Sequence, residues 1–196
     1  YVNNGGPSNT LINDVISDFP PFVQFYIAWE PAENVLLRNR GDGTFEDVTR
    51  GSGAEGLGIG SGVGSADVNG DGFADLFVSN RTYYAEGRRV SAEPGRNRLF
   101  VNRGNRNNWV KVKLVAARGH GDAWGAMIKV TAGDLVQTHV MQSSHGYNSG
   151  SEPVIGFGLG RRAAVESIEV RWPSGATQVV RTPRIRDVVE IVEAPP

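Results

Sequence analysis

Residues 67–75 read Asp-Val-Asn-Gly-Asp-Gly-Phe-Ala-Asp, with an oxygen-bearing side chain at every second position and a glycine before a bulky residue. Three aspartates fall within this stretch, and no Lys or Arg stands among them. Counted from Asp67 as position 1, Asn69 is position 3, Asp71 is 5, Gly72 is 6, Phe73 is 7 and Asp75 is 9. Hard cations take oxygen ligands, and side chains alternating around a glycine turn direct positions 1, 3, 5 and 9 inward. Position 7 supplies its backbone carbonyl, so Phe73 is free to be apolar. Three carboxylates and an amide suit Ca2+, and with no Cys or His nearby zinc and copper are disfavoured.

The loop departs from an EF-hand. Position 12 is Val78, where that motif needs a bidentate Glu, and Leu76-Phe77-Val78 predicts a strand instead of a helix. A calcium sensor that opens is therefore disfavoured, and the ion is expected to staple a loop. The competing reading is an Asp/Asn/Gly-rich hairpin without metal.

The elements around this loop are expected to be strands. Glycine is abundant, 26 of 196 residues, which with frequent Asn, Ser and Asp is the chemistry of many tight turns. From Trp109 the pattern alternates apolar and charged, the period of a half-buried strand. Runs at 109–115, 126–131, 135–141, 153–157, 165–172, 177–181 and 188–192 predict a β-sandwich or small barrel over residues 107–196. Residues 81–106 hold seven arginines against Glu86 and Glu93 and are expected to be a basic connector. Residues 1–80 form the remaining region, and within it the aromatic run Phe19–Trp29 predicts a buried or edge strand.

Internal echoes run across these parts. Asn34-Val-Leu-Leu-Arg-Asn39-Arg-Gly41 returns as Asn97-Arg-Leu-Phe-Val-Asn102-Arg-Gly104. Tyr1-Val-Asn-Asn4 resembles Phe77-Val-Ser-Asn80, which places residue 1 at the end of a strand whose own cation loop would precede it. The chain is thus expected to be a piece of a longer protein.

Asn39-Arg-Gly-Asp-Gly-Thr-Phe45-Glu-Asp-Val-Thr49, a glycine-rich stretch and then DVNGDGFADLFVSN resemble an FG-GAP (VCBS) repeat. The resemblance implies a blade of an extracellular β-propeller, with Asp67, Asn69, Asp71, the Phe73 carbonyl and Asp75 as Ca2+ ligands. Asn108-Trp109, Gly125-Ala126, Gly146-Tyr147-Asn-Ser149, Phe157-Gly-Leu-Gly160 and Val170-Arg-Trp-Pro-Ser-Gly175 resemble the ASPIC/UnbV domain that follows such repeats in cartilage-acidic-protein-like proteins. The expected fold is therefore all-β: a partial propeller-type blade with a calcium loop, then a sandwich-like domain. Only one complete cation loop is present, and a lone blade cannot bury both faces. Completion by further copies of the chain, packing on the C-terminal domain, or a fragmentary chain would each resolve this.

Other motifs are weaker. Arg40-Gly41-Asp42 spells an integrin-binding tripeptide but also fits a hairpin tip. Asn80-Arg81-Thr82 is an N-glycosylation sequon, and the arginine-rich connector with Tyr83 and Tyr84 is compatible with polyanions. Ser143, Ser144 and His145 with Asp122 suggest a hydrolase triad only superficially, since no nucleophile elbow appears. His120 lies in a loop and His139 in an alternating strand. Gly58–Gly64 is glycine-rich but lacks the Lys and helix of a phosphate loop.

The net charge of −1 gives no steering to nucleic acid or membrane, and no apolar run approaches the ~18 residues of a spanning helix. The expected function is a non-catalytic, calcium-binding adhesion or interaction module, extracellular or at the cell surface. Its partners would be other proteins or surface polysaccharide. A self-assembling structural subunit is the first alternative, and an accessory component of a biosynthetic enzyme the second.

Overall fold

Glycine and the Asx residues interrupt the first hundred residues so often that, β7 and β8 apart, the described strands there are two or three residues long. The structure, a computed structural model, describes residues 6–7, 29–30, 32–58, 60–82, 84–85, 88–89, 95–117, 121–144 and 149–195. Among these every regular element is a strand. The first eleven are β1 (Gly6–Pro7), β2 (Trp29–Glu30), β3 (Ala32–Glu33), β4 (Leu37–Asn39), β5 (Phe45–Asp47), β6 (Leu57–Gly58), β7 (Gly60–Ala66), β8 (Asp75–Asn80), β9 (Tyr84–Ala85), β10 (Arg88–Arg89) and β11 (Arg98–Phe100). They pair as β1-β2, β3-β6, β4-β5, β9-β10 and a three-stranded sheet ordered β11-β8-β7, and among the described residues no sheet closes.

Longer alternating runs give longer strands beyond residue 107. These are β12 (Asn108–Val115), β13 (Met127–Ala132), β14 (Leu135–Val140), β15 (Val154–Gly160), β16 (Ser167–Arg171), β17 (Thr177–Arg181) and β18 (Val188–Val192). All seven coincide with the runs expected from the sequence, with ends shifted by a few residues.

By compactness the chain divides into two units. One draws on Tyr1–Val63 and Phe77–Phe100, the other on Gly64–Leu76, Val101–His145 and Ser149–Pro196. The 67–75 loop therefore groups with the strands of the second unit.

That second unit is a sandwich of a three-stranded sheet, β15-β12-β18, and a four-stranded sheet, β14-β13-β16-β17. The four-stranded sheet is antiparallel throughout, with Ile128 opposite both His139 and Val170. In the other sheet β12 runs antiparallel to β15 but parallel to β18, with Val112 opposite Ile155 and Val189. Parallel neighbours need a long crossover; here the second sheet and β15 supply it.

Inward residues of both sheets share one core: Val110, Val112 and Leu114 from β12, Phe157 from β15, Ile128 from β13 and Ile168 from β16. Each such burial stabilises by about 1.5–3 kcal/mol relative to exposure. The outward face of β12 carries Trp109, Lys111 and Lys113, and it is this face that meets the loop.

The echo between 34–41 and 97–104 is structural as well. Asn39 Oδ1 accepts from the Gly41 amide at 2.7 Å, just as Asn102 Oδ1 accepts from Gly104 at 3.0 Å. Both glycines are left-handed, at φ 85 and 66. The same short Asx turn thus ends two strands.

Candidate functional site

The loop between β7 and β8 is knitted by its own oxygens. Asp67 Oδ1 accepts from the Asp71 amide at 3.0 Å, and Asn69 Oδ1 accepts from the same amide at 3.1 Å. Asp67 Oδ2 accepts from Gly72 N at 2.7 Å, and Asp71 Oδ1 from Phe73 N at 2.9 Å. Asn69 Nδ2 donates to Asp71 Oδ2 at 2.9 Å. Asp75, 1% exposed, closes the base: its Oδ2 accepts from Val68 N at 2.9 Å and its Oδ1 from Asn102 N at 2.7 Å. The turn depends on Gly70 and Gly72, both left-handed.

The donor set fits a hard cation in kind. Every predicted ligand is an oxygen and all five come from one nine-residue loop; the Asp71 and Asp75 oxygens each accept one hydrogen bond and keep lone-pair capacity, whereas Asp67 Oδ2 accepts from both Gly72 N and Lys111 Nζ. Among the described residues no group of three or more His, Cys, Asp or Glu side chains is drawn together as a metal cluster. The strand after the loop, β8, is that expected from Leu76-Phe77-Val78, so no EF-hand helix follows.

Lys111, Glu152 and Asn102 were not expected at this site. Lys111 Nζ lies 2.7 Å from Asp67 Oδ2 and 3.3 Å from Glu152 Oε1, and its side chain is only 7% exposed. Glu152 Oε1 also accepts from the Asp67 amide at 3.2 Å. Burial pushes the Asp67 carboxyl up. The hydrogen bond from Lys111, the Gly72 amide and the Lys111 charge outweigh it and hold the group below its ordinary value. Asp67, which has no basic neighbour in its own stretch, thus finds one 44 residues along the chain.

Gly72 is where the loop meets β12. A side chain there would run into the Trp109 indole. The sequence signal for this contact was only the glycine at position 6, which the cation motif already explained.

Among the other candidates, Arg40-Gly41-Asp42 is the tip of the β4-β5 hairpin, closed by Arg40 N to Thr44 O at 3.0 Å, with Asp42 Oδ1 capping the Thr44 amide at 2.9 Å. Asn80 ends β8, and its Nδ2, the atom a glycan would need, donates to Arg96 O at 2.9 Å. His139 lies on β14 with its ring edge-on to Phe157 at 5.9 Å between centroids. Residues 60–64 of the glycine-rich stretch are strand β7. His120, His145, Tyr83 and residues 19–28 of the aromatic run lie outside the described residues.

A family described as FG-GAP-like repeat matches residues 24–78, which include the loop, and one described as ASPIC and UnbV matches residues 116–195. The chain therefore carries an FG-GAP-like repeat, which implies a β-propeller-type blade, followed by an ASPIC/UnbV region. It is similar to cartilage acidic protein 1 of Mus musculus and of Homo sapiens, each 31% identical over 163 residues, covering 81% of this chain and 23% of the relative. The Xenopus tropicalis cartilage acidic protein 1 is 30% identical over 156 residues, 79% of this chain and 23% of its own length. The chain thus spans 23% of the length of these relatives. Among the described residues no helix is long and apolar enough to cross a membrane.

Proposed function

We propose that this chain is a non-catalytic interaction module, acting outside the cell or on its surface, in which Ca2+ staples the β7-β8 loop. The observation that carries the reading is an all-oxygen 1-3-5-7-9 loop inside a stretch that matches FG-GAP-like repeats. Asp67, Asn69, Asp71, the Phe73 carbonyl and Asp75 would hold the ion. Its chemistry there is to neutralise three carboxylates; no step of catalysis is routed through it.

The chain's own residues prepare the loop. Asp75 ties its two ends through backbone amides, and Lys111 anchors Asp67. A weak site of this kind stays filled where calcium is near millimolar, which is the extracellular setting. Similarity to cartilage acidic protein 1 supports that location, and the surfaces flanking the loop would then meet other proteins or surface polysaccharide.

Calcium that binds the folded chain raises its melting temperature by mass action. Melting in EDTA and in millimolar Ca2+ tests the reading: a rise supports it, and coincident curves with magnesium and calcium overturn it.

A self-assembling subunit is favoured by one specific feature. Phe45, Leu57, Phe77 and Leu99, all on short strands of open sheets, are 48–61% exposed. Light scattering decides: mass rising with concentration supports assembly, and a constant monomer mass removes it.

A further inference from the structure

Lys111 and Lys113 stand two residues apart on one face of β12 and meet opposite fates. Lys113 stays 48% exposed and pairs with Glu190 on β18 at 2.8 Å. Lys111 is the one buried lysine among the described residues, and its ammonium faces Asp67 and Glu152. An ammonium is strongly penalised for leaving water unless carboxylates meet it. The loop provides one of those carboxylates, and it is Asp67, position 1 of the cation motif.

Asp67 therefore already serves one cation and two backbone amides. Its Oδ2 is engaged by Lys111 and the Gly72 amide, and its Oδ1 by the Asp71 amide. Glu152 Oε1 accepts from Lys111 at 3.3 Å and from the Asp67 amide at 3.2 Å, so it holds both the lysine and the start of the loop.

We propose that Lys111 is an internal counter-cation of the 67–75 loop: it neutralises Asp67 and Glu152 when no divalent ion is bound, competes with that ion for Asp67, and so sets the loop's affinity on the weak side. This rests on the calcium reading of the loop. A positive charge beside a ligand oxygen lowers the pull on a second positive charge. The same lysine pairs the Asp67 carboxylate, whose side chain is 7% exposed, and the partly exposed Glu152, so its removal weakens the metal-free fold. The two effects carry opposite signs, which a purely structural lysine would not produce.

The test is calorimetric titration of the 196-residue chain with CaCl2, paired with melting in EDTA. Lys111→Met keeps the apolar stem and removes the charge. It should bind Ca2+ about tenfold tighter than the parent, the scale of losing one like charge nearby. Its metal-free form should melt lower, and its gain on adding calcium should be larger. Lys113→Met, which removes the same charge from an exposed site, should stay within about twofold of the parent.

If the parent binds Ca2+ and Lys111→Met binds equally or more weakly, the counter-cation role is overturned while the calcium reading stands. If neither binds, both fall. If only Lys111→Met binds, the counter-cation role is supported directly. Should that variant not fold, side-chain NMR of the parent gives the answer. A Lys111 ammonium resonance that moves on saturation with Ca2+, with Lys113 unmoved, supports the role, and an unmoved Lys111 overturns it.

Discussion

The backbone amide of Asn102 donates to Asp75 Oδ1 at 2.7 Å, while the other oxygen of Asp75 takes the Val68 amide at 2.9 Å. One carboxylate thereby joins the second residue of the loop to the turn that follows β11. Asp75→Asn keeps the size but puts an NH2 group against a backbone N–H, leaving a buried donor unpaired. We expect a loss of about 2 kcal/mol in EDTA, the usual cost of a charge-assisted bond broken in a buried place. Urea unfolding measures it, and a loss under about 0.5 kcal/mol would show that the two amides have other acceptors.

Gly72 and Gly43 provide a matched pair for the loop's seat on β12. Both are left-handed, at φ 92 and 87, but a side chain at Gly43 meets nothing within 4 Å whereas one at Gly72 meets Trp109. Gly43→Ala should cost about 1 kcal/mol from backbone strain alone. Gly72→Ala adds displacement of the indole and should cost about 3 kcal/mol, with a shift in Trp109 fluorescence. Equal costs would mean that the loop does not rest on β12.

How far the sequence told this story depends on the range of the interactions involved. The seven strands from Asn108 to Val192 were legible because alternation is a local signal, and the β4-β5 hairpin because Gly41 and Gly43 leave little other choice. The parallel register of Val112 with Val189 was not legible, since it joins residues 77 apart and no local pattern encodes it. Lys111 was hidden for a related reason. Within Trp109–Val115 it is one of two charges on an alternating face, indistinguishable from Lys113, and only a loop 44 residues earlier buries it. Asp67, Asn69, Asp71 and Asp75 were legible as oxygens in register. Their duty to backbone amides was not, because side chains that cap a turn and side chains that hold a cation share the same spacing.

The Asp134–Arg162 pair predicts acid sensitivity. Arg162 Nε and Nη2 both reach Asp134 Oδ1, at 2.9 and 2.7 Å. That hydrogen bonding, then the residue's own amide and the Arg162 charge, hold the carboxyl below its ordinary value. A carboxyl depressed in the folded state contributes stability that is present above its unfolded value of about 3.9 and lost as pH falls through the folded value. The pair should therefore leave stability flat from neutral pH down to about 5 and weaken it below about 4. Carbon NMR should place the Asp134 titration below that of a free aspartate, and Arg162→Gln should move it back up. An unchanged titration in that variant would show that the guanidinium is not its cause.

Phe157 tests whether the two sheets of the C-terminal unit behave as one body. Its ring is 1% exposed, lies on β15 opposite Val110, and belongs to a core that also holds Ile128 and Val170 from the other sheet. Phe157→Ala removes a full aromatic ring from this core, whose central strands β12, β13 and β16 are each held by ladders on both sides. The expected cost is about 4 kcal/mol, lost transfer energy plus the cavity left behind. Because β12 and β13 both contribute residues to that core, the fluorescence of Trp109 and of Trp172 should report one transition that moves as a whole to lower denaturant. Two separated transitions would show that each sheet is held by its own contacts, and that the shared core does not make them cooperative.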